Sequence, residues 1–404
     1  MYQLRPYQAD AVRCALNQFK YGKPFVIQMA TGAGKSLVIA DVCHKLDQPV
    51  LILQPSKELL EQNHAKLVSY GVSDIAIYSA SKKSKEIGKY TYATIGSIFR
   101  KPELFKHFRY VIIDECHGLN SKNQDSMYAK FLSAIGCRNV MGLTATPYRI
   151  VQKYTTYQSQ LYYTASLRVI NRIHPFFWKN IAYVIETDQL IKMGYLAPIK
   201  YFTDKIELDK LIVNSTGADY TTKSLELWAM TKTERIVESI KFVEGRASRS
   251  LTFCTSILQA NRVLARLQDD GLRVGLVTGE TPKLEREEIV ENYRNGQLKH
   301  MINVGVFTTG FDVPELDCVI LARPTMSLAL YYQMVGRGVR IDPANPDKVL
   351  RVIDLAGVVE RMGRVETIKL GKEDGYKDTV MSEVGRMDEQ ALFTFKIIRK
   401  AKTA

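Results

Sequence analysis

Residues 29–36 read MATGAGKS, and they follow an apolar, β-branched run at Phe25–Met29 and precede a second apolar run with helix-like character. A strand, a glycine-rich loop and a helix in this order form the context of a phosphate-binding loop. Gly32 and Gly34 let the backbone curl so that its N–H groups point inward, and the positive end of the helix adds to their attraction for phosphate. The strict pattern begins with glycine, where this chain has Met29.

The end of this loop supplies a charge and a hydroxyl. The Lys35 ammonium can reach the β- and γ-phosphates of a nucleoside triphosphate, and the Ser36 hydroxyl can ligate Mg²⁺. Thr31 and Ala33 belong to the same loop, which joins the strand to Lys35 and Ser36. We therefore expect Thr31 to Ser36 to bind ATP, with Ser36 also a ligand of Mg²⁺.

A second stretch, VIIDECHG at Val111–Gly118, ends an apolar strand with two adjacent carboxylates. Asp114 is placed to hold Mg²⁺, mostly through water, because this ion keeps several waters and binds few protein carboxylates. Glu115 can then orient and deprotonate an attacking water. With Lys35, these two residues predict a site that hydrolyses the triphosphate.

Short apolar strands alternate with helix-like segments in two parts of the chain, which indicates parallel sheets of the α/β class. Such sheets bind ligands at the carboxyl ends of their strands, where the two stretches above lie. The strand candidates are Phe25–Met29, Val50–Leu53, Tyr110–Asp114 and Val140–Thr144 in the first part, and Ser250–Cys254, Val274–Val277, Met301–Val304, Cys318–Leu321 and Val349–Asp354 in the second.

This alternation predicts one α/β domain over residues 1–150 and another over 231–365. Residues 151–230 are rich in Tyr, Lys and Arg, and we interpret them as an inserted element and a linker. Residues 366–404 are predicted to be a C-terminal tail, in which Phe393–Lys402 (FTFKIIRKAK) forms a last amphipathic helix or a basic arm.

The DECH sequence resembles the DExH signature of superfamily 2 helicases, and further motifs of that family occur in the same order. The resemblance covers about residues 1–355, and it implies two tandem RecA-like domains with an ATP cleft between them. The further motifs are Arg5-Pro6-Tyr7-Gln8, LTATP at Leu143–Pro147, LTFCTS at Leu251–Ser256, NVGVFTTGFDVP at Asn303–Pro314 and QMVGRGVR at Gln333–Arg340.

The resemblance also implies roles for single residues at the nucleotide. Gln8 would hydrogen-bond the adenine base and Arg5 would support it. Gly310 and Asp312 would approach the nucleotide from the second domain. LTATP would couple the ATP site of the first domain to the second.

The segment QMVGRGVR resembles the arginine-finger motif, with Gln333, Arg337 and Arg340 as catalytic residues. The two arginines stand three positions apart, which predicts that they lie on one side of a helix. From there they would reach the γ-phosphate and stabilise the charge that develops during phosphoryl transfer. Hydrolysis would then depend on closure of the domains.

A nucleic-acid track is expected where small hydroxyls and backbone N–H groups contact phosphate without reading sequence. The family resemblance points to Ser56, Thr94, Gly96, Thr255 and Thr308. Each hydroxyl has an alternative role in ordinary helix capping or turns. The aromatics of Tyr148–Trp178 likewise leave two interpretations open, base stacking in a strand-separating wedge or packing in the core.

The composition is consistent with a polyanionic partner. The chain has 404 residues, of which 46% are hydrophobic, and a formal net charge of +14. Such an excess of positive charge favours nucleic acid. There is no apolar run of the ~18–20 residues that span a bilayer and no signal-peptide core, so we expect a cytoplasmic protein without membrane contact. The six cysteines have no CxxC spacing, which predicts neither zinc nor disulfides.

A finer resemblance is to bacterial RadD-type and phage branch-migration helicases of DNA repair and recombination. It rests on LRPYQ, DECH, LTATPYR, a GYLAP segment and VIDLAG at Val352–Gly357. It implies a monomer in a bacterial or phage-infected cell that remodels forks or Holliday junctions, with recombination or replication proteins as partners.

Other functions fit the same motifs. The chain could be a double-stranded DNA translocase subunit of a restriction complex, or an RNA helicase, because the track reads only the backbone. It could also be a nucleic-acid-binding scaffold with a degenerate ATP site, although Lys35, Asp114, Glu115, Arg337 and Arg340 are all present.

Overall fold

A computed structural model describes residues 3–80, 84–119, 127–157, 160–174, 176–203, 206, 208, 211–214, 219–306, 313–373, 377–387 and 393–396. The chain divides into two compact units. The first comprises residues 1–149 and 168–189, and the second comprises 150–167 and 190–404.

The helices and strands follow one another in the alternation that the sequence predicts. The helices are α1 (Pro6–Phe19), α2 (Lys35–Leu46), α3 (Lys57–Ser69), α4 (Ile95–Ile98), α5 (Met127–Ile135), α6 (Thr187–Lys192), α7 (Thr222–Met230), α8 (Thr233–Val243), α9 (Ile257–Asp269), α10 (Lys283–Arg294), α11 (Leu328–Val335) and α12 (Val358–Met362). The strands are β1 (Phe25–Met29), β2 (Val50–Gln54), β3 (Ile75–Ser79), β4 (Ser84–Lys85), β5 (Tyr90–Thr94), β6 (Tyr110–Asp114), β7 (Asn139–Thr144), β8 (Tyr148–Tyr157), β9 (Gln160–Val169), β10 (Asn180–Ile185), β11 (Ile199–Thr203), β12 (Arg249–Cys254), β13 (Val274–Thr278), β14 (His300–Val304), β15 (Leu316–Ala322), β16 (Leu350–Asp354), β17 (Lys369–Glu373), β18 (Lys377–Ser382), β19 (Gly385–Arg386) and β20 (Phe393–Lys396).

The first unit is built on a sheet with the strand order β10-β1-β7-β6-β2-β5-β3-β4. Its pairs are parallel except for β3 with β4. β1, β2 and β6 are buried along nearly their whole length, as expected of strands covered on both faces. Their carboxyl ends therefore lie at one edge of the sheet, and they carry Met29, Gln54 and Asp114 to it.

The second unit has a parallel sheet with the order β11-β16-β15-β12-β14-β13. Its hydrophobic core includes Ile240, Val263, Ile302 and Ile320. Two parallel sheets flanked by helices are the predicted pair of RecA-like domains, and the fold prediction is confirmed.

Among the parallel strands of the two large sheets, four were not predicted from the sequence. β3, β5, β10 and β11 mix polar or aromatic residues with short apolar ones, and β11 alternates half-buried with exposed positions. Residues 151–230 thus contribute β10 to the first sheet and β11 to the second. The apolar-run criterion passes over strands in which polar, small or aromatic residues interrupt the apolar run.

Beyond the second sheet, the chain continues as antiparallel strands. β17, β18 and β19 form a three-stranded sheet, and β20 pairs with β9. The prediction of a helix over Phe393–Lys402 is wrong for Phe393–Lys396, which is a strand because its backbone extends the β9 edge. The rest of that segment lies outside the described residues. Within the described part of the chain, no helix has the length and apolar character needed to cross a bilayer.

Candidate active site

The glycine-rich loop between β1 and α2 has the conformation that its sequence predicts. Gly32 and Gly34 have φ angles of 84° and 79°, in the left-handed region that favours glycine. Gly34 is also required sterically, because a Cβ atom there would lie 2.5 Å from Nε2 of Gln8. Since α2 begins at Lys35, the N–H groups of Lys35 and Ser36 have no acceptor within the helix and can bind an anion, whereas those of Leu37 and Val38 donate to the carbonyl oxygen of Gly34.

The residues expected to read the base contact this loop directly. Gln8 is buried, and its Nε2 donates to the carbonyl oxygen of Ala33 at 2.9 Å. The Tyr7 hydroxyl donates to the same oxygen at 3.0 Å, and the Arg5 backbone N–H donates to Oε1 of Gln8 at 2.9 Å. The start of the chain thus positions the phosphate loop, and a base contact by Gln8 stays a prediction.

The two residues predicted to hold Mg²⁺ are joined through a third that the sequence argument missed. The Ser36 hydroxyl donates to Oδ1 of Asn63 at 2.5 Å, and Nδ2 of Asn63 donates to Oδ2 of Asp114 at 3.3 Å. Asn63 lies on α3 and is 4% exposed, on the same face as the buried Leu60 and Leu67. A polar residue within an apolar helix stripe is the signal that could have identified it.

The paired carboxylates have unlike environments. Burial, and next to it the charge of Glu115, raises the pKa of Asp114 to about 6. Glu115 is half-buried, and Oε1 of its carboxylate lies 3.7 Å from the Lys35 ammonium. Its backbone has a φ of 48°, which is uncommon for a residue with a side chain and is typical of functional sites that hold strain.

His117 links this acidic pair to the LTATP segment. Its Nδ1 lies 2.8 Å from Oγ1 of Thr144 and 3.4 Å from Oε2 of Glu115. The Thr144 hydroxyl also accepts the backbone N–H of Thr146 at 3.0 Å. Burial lowers the pKa of His117, so the ring is neutral at pH 7. A rearrangement of the loop after β7 would therefore move His117 and change its contact with Glu115.

The donor set suits a nucleotide with Mg²⁺. Ser36, Asn63 and Asp114 supply oxygen atoms of the kind this hard cation binds, and Lys35 supplies the positive charge for phosphate. Gln54 at the end of β2 is fully buried next to the Asp114 carboxylate, whose pKa it acts to lower, and the carbonyl oxygen of its amide has no hydrogen bond within the described residues. Unsatisfied buried polar groups of this kind are usual where a ligand or its water completes the site.

Two of the expected nucleic-acid contacts in the first unit lie at N-cap positions, and of these only Ser56 makes a capping hydrogen bond. Ser56 is the N-cap of α3 and accepts the N–H of Leu59 at 3.3 Å. Thr94 is the N-cap residue of α4, and its hydroxyl lies 2.9 Å from that of Ser97. Gly96 is exposed, with open space where a side chain would stand. A phosphate contact by these residues stays a prediction.

In the second unit, the Thr255 hydroxyl donates to the carbonyl oxygen of Ala322 at 3.1 Å. Thr308, Gly310 and Asp312 lie outside the described residues.

The arginine motif differs from its prediction in one respect. Arg337 and Arg340 do not lie on one side of a helix, because α11 ends at Val335 and the chain turns over the next residues. Glycine is a poor helix former, and Gly336 and Gly338 flank Arg337. Gln333 remains on α11, half-buried. The arginines are therefore held by a loop.

Two family models match the chain. Residues 1–149 match the model described as type III restriction enzyme, res subunit, and residues 231–342 match the helicase conserved C-terminal domain. The chain belongs to the superfamily 2 helicases. The two matched ranges contain the phosphate-binding loop, the DECH sequence and the arginine motif.

Curated proteins from several organisms are similar in sequence to this helicase. It is 27% identical to the putative ATP-dependent helicase IRC3 of Saccharomyces cerevisiae, over 84% of this chain and 49% of that protein. It is 27% identical to a 51.5 kDa protein of a Lactococcus phage, over 78% of this chain and 62% of the relative. It is also 27% identical to the DNA 3'-5' translocase XPB2 of Sulfurisphaera tokodaii, over 84% of this chain and 79% of that protein. The helicase thus spans about half to two thirds of the length of the first two relatives.

Solved structures share the fold at low identity. A fragment of a putative HsdR subunit of a type I restriction enzyme from Vibrio vulnificus matches with a TM-score of 0.65 and 21% identity, over 90% of this chain and 66% of that one. The type ISP restriction-modification enzyme LlaBIII bound to DNA matches with a TM-score of 0.61 and 18% identity, over 88% of this chain and 28% of that one.

The aromatic segment of the helicase includes core residues. Trp178 is buried in the first core, and a Cβ atom at Gly142 would lie 2.7 Å from its ring. Tyr148 is buried as well, whereas Phe176 is 53% exposed. Trp178 and Tyr148 therefore pack in the core, and a wedge would have to use other residues of the segment.

Proposed function

We propose that this helicase is an ATP-driven DNA motor that unwinds or remodels branched DNA, such as forks and Holliday junctions. The observation that carries the motor assignment is the Ser36–Asn63–Asp114 chain beside the Lys35–Glu115 ion pair, because it assembles the groups needed to hold and hydrolyse a triphosphate. The name of one relative, the DNA 3'-5' translocase XPB2, supports DNA as the substrate.

In the proposed mechanism, residues 31–36 and the first turn of α2 bind the phosphates, and Lys35 neutralises the β- and γ-phosphate charge. Ser36 and Asp114 would hold Mg²⁺, which when bound would neutralise charge on the transferred phosphoryl group. Asn63 keeps these two ligands aligned. Glu115 orients the attacking water and accepts its proton.

The remaining residues are assigned by resemblance. Arg5 and Gln8 serve the base, and Gly310 and Asp312 approach the nucleotide. Arg337 stabilises the transition-state charge, with Arg340 and Gln333 in support. Ser56, Thr94, Gly96, Thr255 and Thr308 contact the nucleic-acid backbone, so binding is independent of sequence and weakens with salt.

The branched-DNA subtype rests on the resemblance to RadD-type and phage branch-migration helicases. The similarity to a Lactococcus phage protein is consistent with it. Recombination or replication proteins are the partners that this subtype implies, with the helicase itself a monomer.

A second candidate is a double-stranded DNA translocase of the restriction type. The match of residues 1–149 to the res subunit of type III restriction enzymes favours it. Such a motor moves along duplex DNA without separating the strands, and cleavage would be supplied by a partner.

Steady-state ATPase measurements at low salt test the proposal. Hydrolysis is compared without nucleic acid and with single-stranded DNA, duplex DNA, a four-way junction and RNA, using K35A as the inactive control. Strong stimulation by the junction supports the proposal, and preferential stimulation by RNA contradicts it. Bound ATP with no stimulation by any of them would favour the scaffold interpretation.

Two displacement assays separate the candidates. A motor that unwinds releases a strand from a labelled fork. A translocase instead displaces a triplex-forming oligonucleotide from linear duplex and leaves the duplex intact. Triplex displacement without fork unwinding would replace the first proposal by the second.

A further inference from the structure

The loop that carries the two arginines is held from several directions. The N–H of Ala197, in the GYLAP segment, donates to the carbonyl oxygen of Val339 at 2.7 Å. At Gly338 there is no room for a side chain, because a Cβ atom would lie 2.4 Å from the Leu350 side chain. These contacts fix the backbone on either side of Val339, between Arg337 and Arg340.

A lysine provides a further support beneath this loop. Nζ of Lys348 donates to the carbonyl oxygen of Arg340 at 2.7 Å and to that of Pro314 at 2.6 Å. Pro314 is the last residue of the 303–314 segment, which the resemblance assigns to ATP and nucleic acid. One buried ammonium thus joins the end of that segment to the end of the arginine motif.

The turn that precedes Lys348 delivers it to this position. Asp342 accepts the N–H of Ala344 on its side chain at 2.9 Å, and its carbonyl oxygen accepts the N–H of Asn345 at 3.0 Å. The carbonyl oxygen of Asn345 then accepts the N–H of Lys348 at 3.1 Å. The arginine loop and the lysine that supports it are therefore parts of one folded segment.

An ammonium is a costly group to bury for packing alone. Lys348 is 3% exposed, and burial lowers its pKa to about 8 although Asp317, Asp342 and Glu315 act to raise it. Burying a charge costs free energy unless it is compensated by hydrogen bonds. Here the compensating acceptors are two backbone carbonyls of segments with assigned functions, whereas an apolar side chain would have filled the volume without that cost.

We propose that Lys348 is a positioning residue for hydrolysis, which holds the arginine loop and the end of the 303–314 segment in one fixed arrangement. This inference rests on the proposed role of Arg337 and Arg340 at the phosphates. It deepens that role by naming the group through which the two motifs keep a common geometry.

The first test is K348M in the full chain, assayed by DNA-stimulated ATP hydrolysis. Methionine fills a similar volume but donates no hydrogen bond. We expect kcat to fall by between about tenfold and 10²-fold, the usual effect of a misplacement near 1 Å, with a much smaller change in KM for ATP. K299M is the matched control, because Lys299 pairs with Glu244 in the same unit and has no contact with the arginine loop within the described residues.

A double-mutant cycle separates positioning from a general loss of structure. K348M is added to R337A/R340A, and hydrolysis is read by single-turnover phosphate release, which resolves slow rates. If Lys348 acts through the arginines, K348M causes no further loss in that background. A loss of the same size in both backgrounds would overturn the inference.

A second variant covers the case in which K348M does not fold, as judged by its melting temperature. K348Q keeps two N–H donors without the charge, and the same cycle is run with it. Wild-type kcat in folded K348M contradicts the inference, and for K348Q a loss of the same size in both backgrounds does so. A different result is expected if the proposed role of the arginines is itself wrong. R337A/R340A would then hydrolyse ATP at the wild-type rate, whichever residue stands at position 348.

Discussion

The side-chain amide of Asn63 donates a hydrogen bond of 3.3 Å to the Asp114 carboxylate, and this contact ties the helix after β2 to the DExH strand. Through its other amide atom, Asn63 accepts the hydroxyl of Ser36 at 2.5 Å. The two predicted ligands of Mg²⁺ are thus aligned by a residue that touches both. Such outer partners fix the orientation of metal ligands and tune their affinity.

N63A should therefore raise the Mg²⁺ requirement of ATP hydrolysis more than it weakens the binding of ATP. We expect the Mg²⁺ concentration for half-maximal hydrolysis to rise by about tenfold to 100-fold, the usual cost of losing an outer partner. The measurement is a Mg²⁺ titration of ATPase activity at fixed ATP. N261A, on α9 of the other unit, is the control, and an unchanged Mg²⁺ requirement in N63A would refute this role.

Replacement of Lys35 and replacement of Glu115 should impair different steps of ATP turnover. K35A removes the cation of the phosphate loop, so turnover should be abolished together with tight ATP binding. E115Q keeps the shape of the site but removes the base, so ATP should bind while kcat falls by about 10²- to 10⁴-fold. Fluorescent-nucleotide binding beside steady-state turnover distinguishes the two. Near-normal turnover in E115Q would mean that another group is the base.

The sequence was sufficient for the parts of this site that follow buried strands. MATGAGKS and DECH come directly after apolar runs, so the strand ends and the residues beyond them were predictable. Asn63 was not, because its two contacts depend on how α3 packs beside the phosphate loop, 27 residues from Ser36 and 51 from Asp114 along the chain. Contacts of such separation are set by tertiary packing.

The arginine motif shows the other limit of sequence reasoning. A spacing of three residues predicts one helix face, but that holds only where the helix continues, and α11 ends two residues before Arg337. The local signal was the pair of glycines at 336 and 338. The support from Lys348 depends on a turn that brings distant backbone carbonyls together.

Thr144 should matter more for coupling than for hydrolysis itself. T144V keeps the shape of the side chain but removes the hydroxyl that contacts His117 and the Thr146 N–H. A buried donor left unsatisfied costs about 1–3 kcal/mol. We expect strand displacement to fall by about tenfold or more with a smaller loss of ATPase activity. Parallel ATPase and fork-displacement assays test this, and equal losses in both would argue against a coupling role.

Arg337 should contribute to the chemical step. If it is an arginine finger, R337A slows hydrolysis by about 10³-fold or more. The measurement is kcat at saturating DNA, with binding of the same DNA assayed by fluorescence anisotropy at two salt concentrations. An effect confined to DNA affinity and its salt dependence would reassign this residue to the nucleic-acid track.

His300 should make the stability of the second unit dependent on pH. The ring lies on β14 and is buried, with Nδ1 2.7 Å from the Ser250 hydroxyl and Nε2 paired with the Glu244 carboxylate. Burial lowers the pKa of His300, although Glu244 acts to raise it, and the nearby Lys299 and Arg273 lower it further. The unfolded histidine binds a proton below about pH 6.5. The folded one does so only at lower pH.

The unfolded state therefore takes up more protons than the folded state as the pH falls below about 6.5, so the stability contributed above that pH is lost on acidification. Burial acts to raise the pKa of Glu244, but hydrogen bonds from Lys299 and His300 lower it overall, so this carboxylate stays charged throughout that window. We expect the melting temperature of the wild type to fall relative to H300Q between pH 7.5 and 5.5. Each 1 kcal/mol lost corresponds to about 2–4 °C for a domain of this size. Parallel pH profiles in the two proteins would show instead that His300 titrates alike in the folded and unfolded chains.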